Sequence, residues 1–164
     1  MKKLILVYAL LIIAQICYAQ TITTFILVRH AEKAAEGGSD PELKPEGVKR
    51  AESLTALFEK TDVTAVYSTD FKRTRNTVAP LAAAKGLTLN TYSSMKTADL
   101  EKLVAAHAGG TMVISGHSNT IPDIANALVG EKKFAQFADK DYGNILIISV
   151  TAVGKDAKVV WLRY

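Results

Sequence analysis

The chain has 164 residues, 49% of them hydrophobic and 22% charged, enough for one compact core and too few for two. Its only cysteine, Cys17, falls in the leader described below; this excludes a thiol enzyme or a cysteine-zinc protein in the mature chain and removes any need for disulfides. The formal charge of +4 becomes +2, with 18 basic residues against 16 acidic ones, once Lys2 and Lys3 are lost, too small a surplus to point to nucleic acid or a membrane surface.

Met1-Lys2-Lys3 is basic, and Leu4 to Ile16 is apolar apart from Gln15. That run is short for a bilayer span and suits the core of a signal peptide. Cys17 and Ala19 are the small residues a cleavage site requires, so residues 1–19 are expected to be removed after Ala19. The expected product is a single exported domain, 20–164, periplasmic or extracellular, with no stable membrane insertion. A lipoprotein signal would need a small residue before the cysteine, where Ile16 stands; a retained anchor is the other alternative, and each of these readings implies export.

Ile22 to Val28 is the apolar, β-branched run of a strand buried on both faces, and it delivers Arg29 and His30 to a loop. A polar, glycine-containing stretch from Glu36 to Lys44 leads to Pro45, which suits a first helical turn, and Val48, Ala51, Leu54, Leu57 and Phe58 follow at helical spacing. Val63 to Tyr67 reads as a strand, Asp70 as a possible N-cap, and the next stretch as a helix carrying Arg73 and Thr77. Pro80 predicts a kink or a fresh start in that helix, and Gly86 its C-terminal cap.

Leu87 to Tyr92 is a third strand, Asp99 to His107 a third helix, and Thr111 to Ser115 a strand ending at Gly116-His117. A fourth helix is expected from about Ile121 to Leu128. Asn144 to Thr151 and Ala157 to Leu162 read as a hairpin turning at Gly154 and Lys155. Alternating strands and helices predict a three-layer α/β/α domain, its sheet mostly parallel with an antiparallel C-terminal hairpin.

In open α/β sheets ligands sit beyond the carboxyl ends of the strands. Three such ends carry Arg29-His30, the Ser68 to Arg73 turn and Gly116-His117, and they are expected to converge. Two arginines and two histidines suit phosphoryl transfer: guanidinium groups orient the nonbridging oxygens, a neutral imidazole attacks phosphorus, and His117 stabilises the oxygens where other enzymes place a metal. Nearby cations favour the neutral imidazole.

These segments resemble the histidine phosphatase superfamily, the phosphoglycerate-mutase-like fold. The Arg-His-Gly motif is present as Arg29-His30-Ala31, and the Leu, Gly, basic, Ala helix start as Leu43, Gly47, Lys49 or Arg50, and Ala51. Ser68 to Thr77 aligns without gaps to the second-arginine motif, and Val113 to His117 to the second-histidine motif. The resemblance covers nearly the whole mature chain. It implies a phosphohistidine on His30, with Arg29, Arg73 and His117 holding the phosphoryl group.

For the leaving-group proton, some members use an acid after the third strand and others an aspartate beside the second histidine. Ser118 follows His117, so the second arrangement is absent; Asp99 is the candidate in the first region, and members without a dedicated acid supply the alternative.

Competing readings lack residues. Gly116-His117-Ser118 has no second glycine for a nucleophile elbow and no later histidine for a serine triad. His30, His107 and His117 form no metal-ligand pair by spacing, and the reading requires neither metal nor cofactor. His107 is assigned to a helix end, Arg75 to solvent or a surface ion pair, and Glu32 and Lys33 to substrate or an exposed ion pair. The expected activity is metal-independent phosphomonoester hydrolysis on a small molecule or phosphoprotein. A non-catalytic phosphate-ligand binding protein of the same fold is the alternative; a phosphomutase would need additional enclosing segments. Specificity is expected in the loops Glu36 to Lys44, Tyr92 to Ala98 and Gly130 to Tyr142.

Overall fold

A computed structural model describes residues 21–164; the expected signal peptide and its cleavage point lie outside these residues. In chain order the elements are β1 (Thr23–Arg29), α1 (Pro45–Leu57), β2 (Ala65–Thr69), α2 (Lys72–Ala84), β3 (Leu89–Tyr92), α3 (Thr97–Ala106), β4 (Thr111–Gly116), α4 (Thr120–Val129), β5 (Asn144–Val150) and β6 (Lys158–Arg163). The strands form one six-stranded sheet in the order β3-β2-β4-β1-β5-β6. β1 and β2 each pair in parallel with β4, and β2 in parallel with β3; β5 runs antiparallel to β1, and β6 antiparallel to β5. This is the mostly parallel α/β sheet with an antiparallel terminal hairpin that the alternation predicts.

The continuous apolar run of β1 serves two cores. Phe25 and Leu27 join Met112, Ile114, Ile121, Ile124 and Leu128 on the α3 and α4 face, whereas Ile26 and Val28 join Leu54, Val78, Leu81 and Val113 on the α1 and α2 face. Each of the four β1 side chains is essentially inaccessible, and burial of that kind contributes roughly 1.5–3 kcal/mol per residue.

Several local expectations are corrected. Gly47, Ala51 and Leu54 form the buried stripe of α1, continued by Phe58, while Val48 and Leu57 are exposed. The stripe follows positions i, i+4, i+7 and i+11, from which Val48 and Leu57 are rotated away. Asp70 is not the cap of α2: Phe71 occupies that position without a side-chain bond, and Asp40, from the preceding loop, accepts the Lys72 amide at 2.9 Å. Asp70 pairs instead with Arg75 at 3.1 Å. The helix also runs through Pro80 with no fresh start. Gly86 does end it, at φ +64°: its amide donates to Ala83 O and that of Leu87 to Ala82 O, the paired bonds of a Schellman cap.

Candidate active site

Strand register brings the predicted residues together. Arg29 is the β1 partner of Gly116 at the end of β4, and Ser68 of β2 is the partner of Ser115. The three loops leaving these strands therefore start side by side. Gly116 is required by close approach: a Cβ there would lie 2.7 Å from Thr120 Oγ1 and 2.9 Å from the Tyr92 hydroxyl. Gly47 has the same role beneath the first loop, where a Cβ would overlap the backbone of Glu32.

His30 is 4% exposed. Its amide donates to Gly116 O at 2.9 Å, and the next amide, of Ala31, donates to Thr77 Oγ1 at 2.8 Å. Thr77 donates in turn to Arg73 O at 2.7 Å, so one hydroxyl ties the histidine loop to the helix carrying the second arginine. The His30 Nδ1 lies 2.8 Å from Ala31 O. A carbonyl only accepts, so Nδ1 carries the hydrogen and Nε2 keeps its lone pair. Burial, and to a lesser degree Arg29, His117 and Arg73, pull the ring's pKa down to about 4 against the opposing Ala31 bond, leaving it neutral at physiological pH.

Arg29, also buried, donates from Nη1 to Ala138 O at 2.7 Å and more weakly to Asp141 O at 3.3 Å, and lies 4.4 Å from the Tyr142 ring centroid. Arg73 donates to Ser39 O at 3.2 Å, lies 3.7 Å from Asp40 and stacks over Phe71 at 4.4 Å. His117 packs edge-on to Phe71 at 5.1 Å and to His30 at 5.6 Å. Its amide donates to Thr120 Oγ1 at 2.8 Å, and its Nε2 is 3.1 Å from Thr69 Oγ1. Burial, then Arg73 and Arg29, lower its pKa to about 4. A cleft of about 460 Å³ opens beside it, lined by Thr69, Asp70, Phe71, Thr91, Tyr92, Ser93 and Thr120.

Arg29, His30, Arg73 and His117 are therefore neighbours, and Arg75 faces solvent beside Asp70. Asp99 stands apart. It caps α3, accepting the Lys96 amide at 3.1 Å, lies 3.9 Å from Lys102, and lines a neighbouring cavity rather than the cleft beside His117. His107 ends α3 and bonds the Tyr67 hydroxyl at 2.9 Å. Glu32 is neither exposed nor free: Arg50 grips both its oxygens, at 2.6 to 3.1 Å, holding its pKa below the usual carboxylate range. Among the described residues no three His, Cys, Asp or Glu side chains gather as a metal site, and no helix is long and apolar enough to cross a membrane.

Sequence reasoning missed Tyr142, Phe71, Ser39 and Asp40 as supports of the arginines. Ser39, Asp40 and Tyr142 lie in two of the loops reserved for specificity, but no local pattern pairs them with a given arginine.

The family model of the histidine phosphatase superfamily, branch 1, matches residues 25–100, which include Arg29, His30 and Arg73. No curated protein matches the chain. Among solved structures, the protein histidine phosphatase SixA complexed with tungstate superposes with a TM-score of 0.69 at 13% identity, covering 85% of this chain and 96% of that one. A mycobacterial glucosyl-3-phosphoglycerate phosphatase gives 0.66 at 13% identity, over 87% and 98% of the two chains. Phosphoserine phosphatase from Entamoeba histolytica, in complex with 3-phosphoglyceric acid, gives 0.60 at 17%, over 77% and 90%. The fold is the histidine phosphatase fold.

Proposed function

We propose that this chain is an exported member of the histidine phosphatase superfamily that hydrolyses phosphomonoesters without a metal, through a phosphohistidine on His30. The observation that carries the reading is the His30 ring: neutral, hydrogen-bonded through Nδ1 to Ala31 O, with Nε2 unbonded among the described residues and Arg29, Arg73 and His117 around it.

In the first step the Nε2 lone pair forms a bond to phosphorus as the bond from phosphorus to the leaving oxygen breaks, and that oxygen takes its proton from solvent water, as in members without a dedicated acid. In the second, water attacks the phosphohistidine and loses a proton to solvent, the phosphorus–nitrogen bond breaks with its electron pair returning to Nε2, and phosphate leaves. Arg29, Arg73 and His117 stabilise the charge that builds on the nonbridging oxygens. Asp99 was the sequence's candidate for the leaving-group proton; its engagement as the α3 cap favours a structural role, and a large kcat loss in Asp99→Asn would reverse that assignment.

The substrate is a phosphorylated small molecule or phosphoprotein. The proposed export argues against a cytosolic phosphohistidine protein as the substrate. The alternative of a non-catalytic phosphate-binding protein draws on the same arginines.

Hydrolysis of an aryl phosphate by the purified mature protein, with chelator present, distinguishes them. The enzyme reading expects turnover that His30→Ala abolishes and acid-labile phosphate trapped on the wild type. Phosphate binding that requires Arg73, without turnover, would favour the binding protein.

A further inference from the structure

The hydroxyl groups behind His117 form a chain whose hydrogens can be assigned one by one. Thr74 Oγ1 lies 2.9 Å from both Thr69 O and Phe71 O, and since carbonyls only accept, its single hydrogen goes to them. Thr74 can then only accept from Thr69 Oγ1, 2.9 Å away, which uses the hydrogen of Thr69. What Thr69 turns toward His117 Nε2, at 3.1 Å, is a lone pair. Nε2 must therefore be the nitrogen that carries hydrogen. Both threonines are buried, at 4% and 0% exposure, which limits the access of water to these bonds.

We propose that Thr69 and Thr74 are positioning residues that set the proton on His117, holding the neutral ring with its hydrogen on Nε2 so that it can donate to a phosphoryl oxygen only from Nδ1, after a second proton arrives there. The proposal rests on the phosphoryl-transfer reading of the site.

The two histidines are thereby set in opposite tautomers. A carbonyl makes His30 a lone-pair donor at Nε2, and a hydroxyl relay makes His117 a ring that must be charged before it can bind an anion through its other nitrogen. Arg73 and Arg29 oppose that charge in the free protein; His30 lies 5.6 Å away, and Asp70 and Tyr92 line the cleft on the open side. The proton is supplied by the substrate. A phosphomonoester monoanion passes its hydroxyl proton to Nδ1, producing an imidazolium donor and a dianionic phosphoryl group with no net change of charge in the complex. Turnover should accordingly fall on the alkaline side, as the monoanion is lost.

Long-range ¹H–¹⁵N correlation spectra of the labelled mature protein read the tautomer directly, and the chain has only 3 histidines to assign. At neutral pH the wild type is expected to show His117 protonated at Nε2 and bare at Nδ1. Thr69→Val removes the acceptor and Thr74→Val releases the Thr69 hydrogen to donate to Nε2; both should move the ring toward the Nδ1–H form, and Thr69→Ser should restore the wild-type spectrum.

The kinetic counterpart is the pH profile of kcat/KM for an aryl phosphate. The alkaline fall should flatten several-fold in Thr69→Val and Thr74→Val and return in Thr69→Ser. An Nδ1–H ring in the wild type, or spectra unchanged in both valine variants, overturns the proposal. Absence of wild-type turnover would instead count against the phosphatase reading, while the tautomer measurement still decides the relay. If a valine variant fails to fold, the wild-type spectrum and Thr69→Ser carry the test.

Discussion

His30 and His117 leave neighbouring parallel strands at the same level of the sheet, yet different chemistry holds them. The His30 ring is fixed by the carbonyl of Ala31, and its loop by the backbone of Gly116 and the hydroxyl of Thr77. The His117 ring is fixed by the side chain of Thr69. A carbonyl is present whatever residue supplies it; a hydroxyl is not. The lone pair of His30 is thus set by the backbone path of its own loop, whereas the proton of His117 depends on side chains from β2 and α2 that a single substitution can remove.

The sharpest way to break this comparison is to delete each ring. If His30 is the nucleophile, His30→Ala should lower kcat/KM for an aryl phosphate on the order of 10⁴-fold or more, while His117→Ala, losing one stabilising donor, should cost about 10²–10³-fold. Equal losses in steady-state kinetics would make the rings a single unit and erase the distinction.

Thr77→Val tests the brace of the first loop. It leaves the Ala31 amide buried without an acceptor, and should destabilise the fold by about 1–3 kcal/mol in denaturant titrations, with activity falling as the loop loosens. A neutral result would show that Gly116 alone suffices to hold His30.

In one respect the two rings should behave alike. Both have folded pKa values of about 4, below the ordinary 6.5. As pH falls from about 6.5 to 4, the unfolded chain takes up protons that the native rings refuse, so stability falls through that window and levels off below it. Thermal melts across this range should show the slope, and His30→Gln or His117→Gln should each remove part of it. Bound inorganic phosphate should reduce it further by favouring the protonated rings.

The smallest expected effect serves as the control. Arg75 lies two positions from Arg73 but is paired with Asp70 in solvent; Arg75→Ala should change stability by no more than about 0.5 kcal/mol and leave turnover unaffected. A large kinetic effect would move the phosphate clamp onto the wrong arginine.

Much of this was legible in the chain itself. Periodicity and turn chemistry are local, so the strands, the proline at the start of α1 and the glycine at the end of α2 could be read directly, and the run of β1 carried its burial on both faces. The catalytic candidates were legible because strand ends in a parallel sheet must face one crevice. Caps and face assignments were less so: Asp70 has a capping residue's chemistry, but Asp40, distant in sequence, reaches the helix first and leaves Asp70 to Arg75.

The residue types, their placement after strands and the resemblance of their motifs to the histidine phosphatase superfamily together nominated Arg29, His30, Arg73 and His117. Only the tertiary structure shows which groups face the ring nitrogens of each histidine, which loop grips each arginine, and that Asp99 accepts the Lys96 amide at the start of its own helix. The physical reason is reach. Propensity and periodicity act over a few residues, whereas the hydrogen bonds that set protonation join groups such as Thr69 and His117, which are adjacent only because β2 and β4 pair in register.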